Sequence, residues 1–280
     1  MTDRLRSGLP NFGNTCYINS ILQCLRYQKP LVFMLREHRG DGKDAKGRML
    51  ESFVELLYAD ADKKDLHLFV RYLAQLQPQF RLLRQCDSHE LYLYVIDTFF
   101  EAFSDLTNPF RGALESTVTC MTCGNDSVTC FPFISLSLEM RTSTTPLSVT
   151  EMLSTFQSYE TLQDPVDCER CKQRRQSRKK LRVKDAPELI AVHLKRFDGT
   201  QKNRSPVVFE KRIVVNGQRY NLSASCNHTG TLSGGHYTAT CLRKDMMWVV
   251  CNDSHVSKIQ DLPRTSKVPY MLFYEKERIN

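Results

Sequence analysis

Cys16 stands in Gly13-Asn14-Thr15-Cys16-Tyr17, where a turn gives way to apolar residues at helical spacing, Ile18, Ile21, Leu22 and Leu25. Thr15 takes the N-cap position, which puts Cys16 in the first helical turn. Unpaired N–H groups and the positive end of the helix dipole favour a thiolate there, the form that attacks carbonyls, and nearby main-chain N–H groups offer a place for an oxyanion. A free cysteine is also an ordinary small buried residue, and the local sequence leaves both readings open. The complementary group lies far downstream. His236 follows Gly234-Gly235 and opens a strand-like run to Leu242, while Asn252-Asp253 end the next run, Met247 to Asn252. The charged turn Arg243-Lys244-Asp245 joins them, so an antiparallel hairpin would bring an amide or a carboxylate level with the imidazole. An imidazole so held and presented to a thiol is the triad of a cysteine hydrolase. Among seven histidines no other has this context. His193 reads as a satisfied core residue in an apolar strand, and His38 and His67 as surface positions.

A second chemistry is written in Cys120-Met121-Thr122-Cys123-Gly124 and Cys168-Glu169-Arg170-Cys171. Two Cys-x-x-Cys knuckles, the first flanked by strand-like residues, have the spacing of a tetrahedral four-cysteine zinc site. The long separation predicts a β extension with the knuckles at its tip, on strands distant in sequence. Four thiolates leave no open coordination position, so this zinc is structural. A redox dithiol needs one such pair, and here there are two.

The elements that must position these groups divide by texture. Residues 1–110 read mainly as helices: the Cys16 helix, one around Met49–Leu57, one over Leu66–Leu76 that ends before Pro78, and one after Gln85-Cys86-Asp87-Ser88-His89-Glu90. Asp87 and Glu90 there suit a capping arrangement, and carboxylates at an exposed helix start can also receive basic residues of a peptide. Arg39-Gly40-Asp41-Gly42-Lys43 reads as a mobile loop. From Glu115 the texture is β. The basic run from Lys172 to Lys180 reads as a solvated strand or hairpin edge, because no aromatic residue interleaves it to stack on bases. Strands follow at Leu189–Leu194, Val207–Phe209, Ile213–Val215 with the turn Asn216-Gly217, and Tyr270–Tyr274.

A chain of 280 residues can bury a large core. Its formal charge of +8 is modest for that length. No apolar run approaches a membrane span, and no apolar signal core follows Met1 to Arg6. Eleven cysteines, an odd number with four at metal spacing, fit a reducing compartment. An intracellular protein is expected, in the cytoplasm or nucleus, with no membrane association.

Several of these stretches together resemble the ubiquitin-specific proteases. Gly8 to Leu25, with Asn11-Phe12-Gly13-Asn14-Thr15-Cys16-Tyr17-Ile18-Asn19-Ser20 inside it, is similar to their cysteine box. Ser233-Gly234-Gly235-His236-Tyr237-Thr238-Ala239, continuing to Trp248 and Asn252-Asp253-Ser254, is similar to their histidine box. Gln85 to Glu90, the paired knuckles and Val192-His193-Leu194-Lys195-Arg196-Phe197 match further family segments in order. The resemblance implies an α+β, papain-like fold of helical thumb, β palm and zinc-bearing β fingers. It forms one catalytic domain over residues 8–277: thumb to about 110, fingers about 111–185, palm about 186–277. It implies Cys16 as nucleophile, His236 as base and then acid, Asn252 as its orienting partner with Asp253 assisting, and Asn11 as oxyanion donor. Gln85, Asp87 and Glu90 would face the arginine-bearing tail of ubiquitin, and Gly234, Gly235 and Tyr237 would line a slot for Gly-Gly. The implied cofactor is structural Zn2+ on Cys120, Cys123, Cys168 and Cys171. The implied activity is a thiol-dependent deubiquitinase that cuts the peptide or isopeptide bond after that Gly-Gly, with ubiquitin and ubiquitinated proteins or polyubiquitin as partners.

Asn252 stands where many members carry Asp. It holds the imidazole without stabilising its charge, so less thiolate–imidazolium pair is pre-formed. Three rivals remain in view: a catalytically silent ubiquitin-binding scaffold, a hydrolase of a related modifier, and a zinc-ribbon nucleic-acid binder using the basic run. A missing catalytic residue would mark the first, and none is missing.

Overall fold

The computed structural model describes residues 7–37, 43–58, 63–103, 106–199, 201–231 and 234–278. His38, the stretch 39–42 and Ser233, on which expectations fell, lie outside them. Five helices come first: α1 (Cys16–Arg26), α2 (Lys29–Glu37), α3 (Ala45–Leu56), α4 (Lys63–Leu76) and α5 (Ser88–Ala102). Every residue of α1 is buried, enclosed by α2, α5 and the strands of the large sheet, while α3 and α4 pack on each other and α3 on α5. Asp87 caps α5 by accepting from the His89 and Glu90 N–H groups, as its place in the sequence predicts. Helix α2 is not among the helices expected from the sequence, where α1 leads straight to a loop. It brings Leu31, Val32 and Leu35 into the same core.

The β extension follows. β1 (Gly112–Cys120) and β2 (Asp126–Phe133) form a hairpin, β3 (Leu136–Glu139) and α6 (Val149–Phe156) return to the body, and β4 (Tyr159–Thr161), β5 (Val166–Cys168), β6 (Gln173–Arg175) and β7 (Ser177–Asp185) complete it. The strand order is β2-β1-β7-β4, with β5 and β6 paired separately. The basic run divides: Gln173–Arg175 form the edge of the β5–β6 hairpin, as expected, whereas residues 178–180 of β7 are not at an edge, since they pair with β1 on one side and β4 on the other. Its charge is carried on the faces. The Arg178 guanidinium and the Lys180 ammonium lie 4.3 and 5.0 Å from the centre of the Tyr159 ring, and Arg182 pairs with Glu115.

The remaining strands are β8 (Leu189–Lys195), β9 (Val207–Val208), β10 (Arg212–Val215), β11 (Gln218–Gly230), β12 (Gly235–Leu242), β13 (Trp248–Asn252), β14 (His255–Ile259), β15 (Thr265–Ser266) and β16 (Pro269–Lys276). One sheet runs β14-β13-β12-β11-β16-β8-β3, with β10 added on β11. Side chains alternate across it. Leu189, Ala191, Met271 and Phe273 join the helical core, while Ile190, Val192, Leu272 and Tyr274 join a second core with α6 and the base of the extension. A sheet buried on both faces fixes the register of its strands, because a slip of one residue would exchange the two cores. That register positions β12 and β13 against α1.

Candidate active site and metal centre

The backbone before Cys16 reverses through two left-handed residues, Gly13 (φ 93°) and Asn14 (φ 59°), which suit glycine and asparagine. Thr15 does not cap α1 with its side chain. Its Oγ1 instead accepts from the Phe12 N–H at 3.0 Å and donates to Asn11 Oδ1 at 3.2 Å. The expected cap is thus spent on the preceding turn, and α1 begins at Cys16 itself. Asn11 Oδ1 also takes the Gly13 and Thr15 N–H groups at 3.0 and 3.1 Å, which fixes the orientation of its amide.

On the facing wall, β12 and β13 pair from Ala239 opposite Cys251 to Leu242 opposite Trp248. His236 lies just beyond that ladder, and its Nε2 is 2.6 Å from Asn252 Oδ1. The amide oxygen only accepts, so Nε2 carries the proton and the lone pair of the neutral ring is on Nδ1. The Cys16 sulfur reaches the main chain of Tyr237, the residue after His236, which brings the start of α1 against the start of β12. Burial, with the negative charge of Asp253 as a smaller contribution, pushes the thiol above its ordinary range. Main-chain groups of Tyr237, Tyr17 and Cys16 itself oppose the shift. The favourable helix start is therefore outweighed, and the resting sulfur is a thiol.

Asp253 has its carboxylate bonded away from His236. Its carboxylate accepts from Asn11 Nδ2 at 3.0 Å on one oxygen and from Asn19 Nδ2 at 2.8 Å on the other, with its backbone at φ 49°. Asn19, a residue of the cysteine box with no role expected from the sequence, is 2% exposed and also donates to the Leu9 and Pro10 carbonyls. A polar residue one turn after Cys16 on a helix with no exposed face was the available signal.

The other site positions sort clearly. Gln85 grips Gly235 from both sides, donating to its carbonyl at 3.2 Å and accepting from its N–H at 3.3 Å. A Cβ on Gly235 would fall 2.1 Å from His228 Nε2, whereas at Gly234 the nearest atom is Gln85 Oε1 at 3.7 Å. Only Gly235 is thus required by the chain's own packing. Tyr237 is buried and stacks near His228 and Tyr270. Asp87 is half-buried and accepts from Tyr270 Oη at 2.5 Å besides capping α5, while Glu90 is exposed. His193 fills the structural role expected of it: Nδ1 meets Ser137 Oγ at 3.0 Å, and the ring stacks on His89 at 3.8 Å. Burial drives His89 down to about 4 and His193 to about 3, so both rings are neutral. His67 is exposed, as expected, against the edge of Phe12.

At the tip of the extension the sulfurs of Cys120, Cys123, Cys168 and Cys171 lie within 4.8 Å of one another. Two of the spacings are 4.0 Å (Cys120 to Cys171) and 3.6 Å (Cys123 to Cys168). A tetrahedron with metal–sulfur bonds of about 2.3 Å has edges of about 3.8 Å, so the four thiols fit zinc. The two knuckles are the same turn used twice. Gly124 and Lys172 follow the second cysteine with φ of 70° and 55°, and each donates its N–H to the carbonyl of the first cysteine, at 2.9 and 2.8 Å.

Residues 7–274 match the ubiquitin carboxyl-terminal hydrolase family. The chain belongs to that family. Among curated relatives, ubiquitin carboxyl-terminal hydrolase 23 of Arabidopsis thaliana is 29% identical, with 99% of this chain and 36% of the relative covered. Human ubiquitin carboxyl-terminal hydrolase 2 is 28% identical, with coverage of 96% and 55%. The chain thus spans between a third and just over half of these relatives. Among solved structures, a chain of the SAGA Ubp8/Sgf11/Sus1/Sgf73 DUB module bound to ubiquitin aldehyde superposes with TM-score 0.87 at 23% identity, covering 100% of this chain and 72% of that one. A yeast SAGA DUB module gives 0.85 at 25%, covering 100% and 71%. The family fold of helical thumb, β palm and β fingers is therefore the fold of this chain. Among the described residues no helix is long and apolar enough to cross a membrane.

Proposed function

We propose that this member of the hydrolase family is a thiol-dependent deubiquitinase that cuts the peptide or isopeptide bond after the C-terminal Gly-Gly of ubiquitin. The observation that carries this reading is the 2.6 Å bond from His236 Nε2 to Asn252 Oδ1, made on the strand whose next residue touches the Cys16 sulfur. With Nε2 held, Nδ1 takes the thiol proton as sulfur attacks the carbonyl. The oxyanion meets the second Nδ2 hydrogen of Asn11 and the N–H groups at the uncapped start of α1, where one side-chain donor is worth about 3 kcal/mol. His236 then protonates the leaving amine, and water activated by the same ring releases the acyl-enzyme.

The site residues divide the work accordingly. Gln85 shapes the Gly-Gly slot by holding Gly235 beside Tyr237, with Gly234 at its open end. Glu90, and Asp87 within the limits of its internal bonds, face the basic tail. Residues 8–277 form one catalytic domain, with a thumb to about 110, fingers about 111–185 and a palm about 186–277. Zn2+ bound by Cys120, Cys123, Cys168 and Cys171 ties the tip of the fingers and takes no part in the chemistry. Eleven cysteines, all free, suit an intracellular setting, cytoplasm or nucleus. Ubiquitin and its conjugates are the partners. Human and Arabidopsis relatives bear the hydrolase name, and a structural neighbour was solved with ubiquitin aldehyde, which supports the same assignment.

The test is release of aminocoumarin from ubiquitin carrying it as a C-terminal amide. Turnover that vanishes in Cys16→Ala supports the proposal. Faster release from a related modifier would move the substrate, and ubiquitin binding without turnover would leave a scaffold.

A further inference from the structure

We infer that Asn19 is a positioning residue for the hydrolytic reaction, acting through Asp253 on the oxyanion donor Asn11. This rests on the hydrolase reading above. Asn19 Nδ2 serves three acceptors: the Leu9 carbonyl at 3.1 Å, the Pro10 carbonyl at 3.2 Å and Asp253 Oδ1 at 2.8 Å. Its own Oδ1 is buried and has no partner. A reversed amide would set its oxygen against three acceptors, so the donor orientation is the only consistent one. A buried amide that leaves its oxygen unsatisfied is held there for what its N–H groups do.

What those groups do is gather the two segments that flank the oxyanion site. Leu9 and Pro10 precede Asn11, and Asp253 holds Asn11 Nδ2 with its second oxygen at 3.0 Å. The two segments also meet directly. The Leu9 N–H donates to the Asp253 carbonyl at 2.9 Å, and a Cβ on Gly8 would fall 2.3 Å from the Ser254 backbone. One hydrogen of Asn11 Nδ2 is spent on Asp253, which aims the other. Because Asn11 Oδ1 is saturated by Gly13 and Thr15, both ends of that amide are fixed, one by the cysteine turn and one by Asn19 through Asp253. Asp253 is accordingly bound to the oxyanion donor and not to the imidazole.

The test is a double-mutant cycle in the full chain, read with ubiquitin–aminocoumarin and with ubiquitin aldehyde, which forms a tetrahedral adduct on Cys16. Asn19→Ala is expected to lower kcat by about tenfold or more with KM changed less than about twofold, and to weaken ubiquitin aldehyde by a similar factor. In an Asn11→Ala background the same substitution is expected to cost less than about twofold. Losses that multiply in the double variant, or a rise in KM that accounts for the loss, would overturn the inference. Should Asn19→Ala not fold, Asp253→Asn, which can accept from only one of the two amides at a time, is judged by the same two criteria. A wild-type chain that releases no aminocoumarin would instead sink the hydrolase reading itself.

Discussion

Helix α1 and strand β2 are opposite solutions to the same problem. All eleven residues of α1 are buried, whereas seven of the eight residues of β2 are exposed. The proposed catalytic groups hang on the first kind of structure: Cys16 starts α1, and His236 and Asn252 sit on strands whose inner faces, with Ala239, Cys241, Val249 and Cys251, belong to the core around it. The finger tip has almost no core, and four sulfurs are gathered there where packing is absent. One region is held by many weak contacts summed over distant segments; the other, with zinc bound as proposed, would be held by a few strong bonds at one point.

That contrast predicts different failures. Metal removal is the largest expected effect. A zinc site of four cysteines supplies on the order of 10 kcal/mol of folding free energy, so a strong chelator, or Cys168→Ser, should release amide protection over β5, β6 and the distal ends of β1 and β7. Amides of α1 and β12 should keep theirs in the same hydrogen-exchange experiment. Loss of protection in both regions at once would erase the distinction. Next is Phe273→Ala, which empties a buried site between Tyr92 and Phe110. A loss of about 3–5 kcal/mol is expected by denaturant unfolding, with the zinc stoichiometry unchanged.

A further effect is spread over several pH units and only part of it is felt at any one pH. His89 and His193 have folded values near 4 and 3, below the ordinary 6.5, because burial disfavours their cations. The unfolded chain therefore takes up protons first as pH falls. Stability from this source is present above pH 6.5 and declines between there and about pH 3, by about 3 kcal/mol for His89 and about 5 kcal/mol for His193 when complete. Urea midpoints across that range measure it, and His89→Gln should flatten the slope. A midpoint independent of pH in the wild type would contradict the stacked neutral pair. The smallest effect is at the triad. Asn252→Ala should reduce kcat about 10- to 100-fold without shifting the midpoint, since Asn252 is exposed and orients a ring rather than packing a core.

The parts legible in the sequence were those with a periodicity or a spacing. Ile18, Ile21, Leu22 and Leu25 declared α1, and the knuckle spacing declared a four-cysteine tip on strands remote in sequence. The hairpin that carries His236 and Asn252 showed as two apolar runs around a charged turn. Helix α6 was missed although Ser148 and Glu151 form a capping pair that could have shown it, Ser148 accepting from the Glu151 N–H. Helix α2 was obscured by an exposed Phe33 in a nine-residue span. Strand β11 could not be read by alternation, because it lies between β12 and β16 and buries Ser223, Ser225, Asn227 and His228. Their polarity is answered by partners from elsewhere, such as Gln28 for Ser223 and Thr240 for Asn227. The cysteine and histidine boxes located the reacting groups, but the Asn11–Asp253–Asn19 connection joins side chains remote in sequence and becomes visible only when both segments are folded together.

The central claim is that Cys16 is a nucleophile served by His236 and aimed at the end of ubiquitin. Exposure of the reduced, folded chain to ubiquitin bearing a C-terminal electrophile, followed by mass spectrometry, tests it most directly. The account predicts one adduct per chain, at Cys16, despite ten other cysteines, none of them in a disulfide. Modification at exposed Cys130 in its place, or no adduct at all, would contradict it.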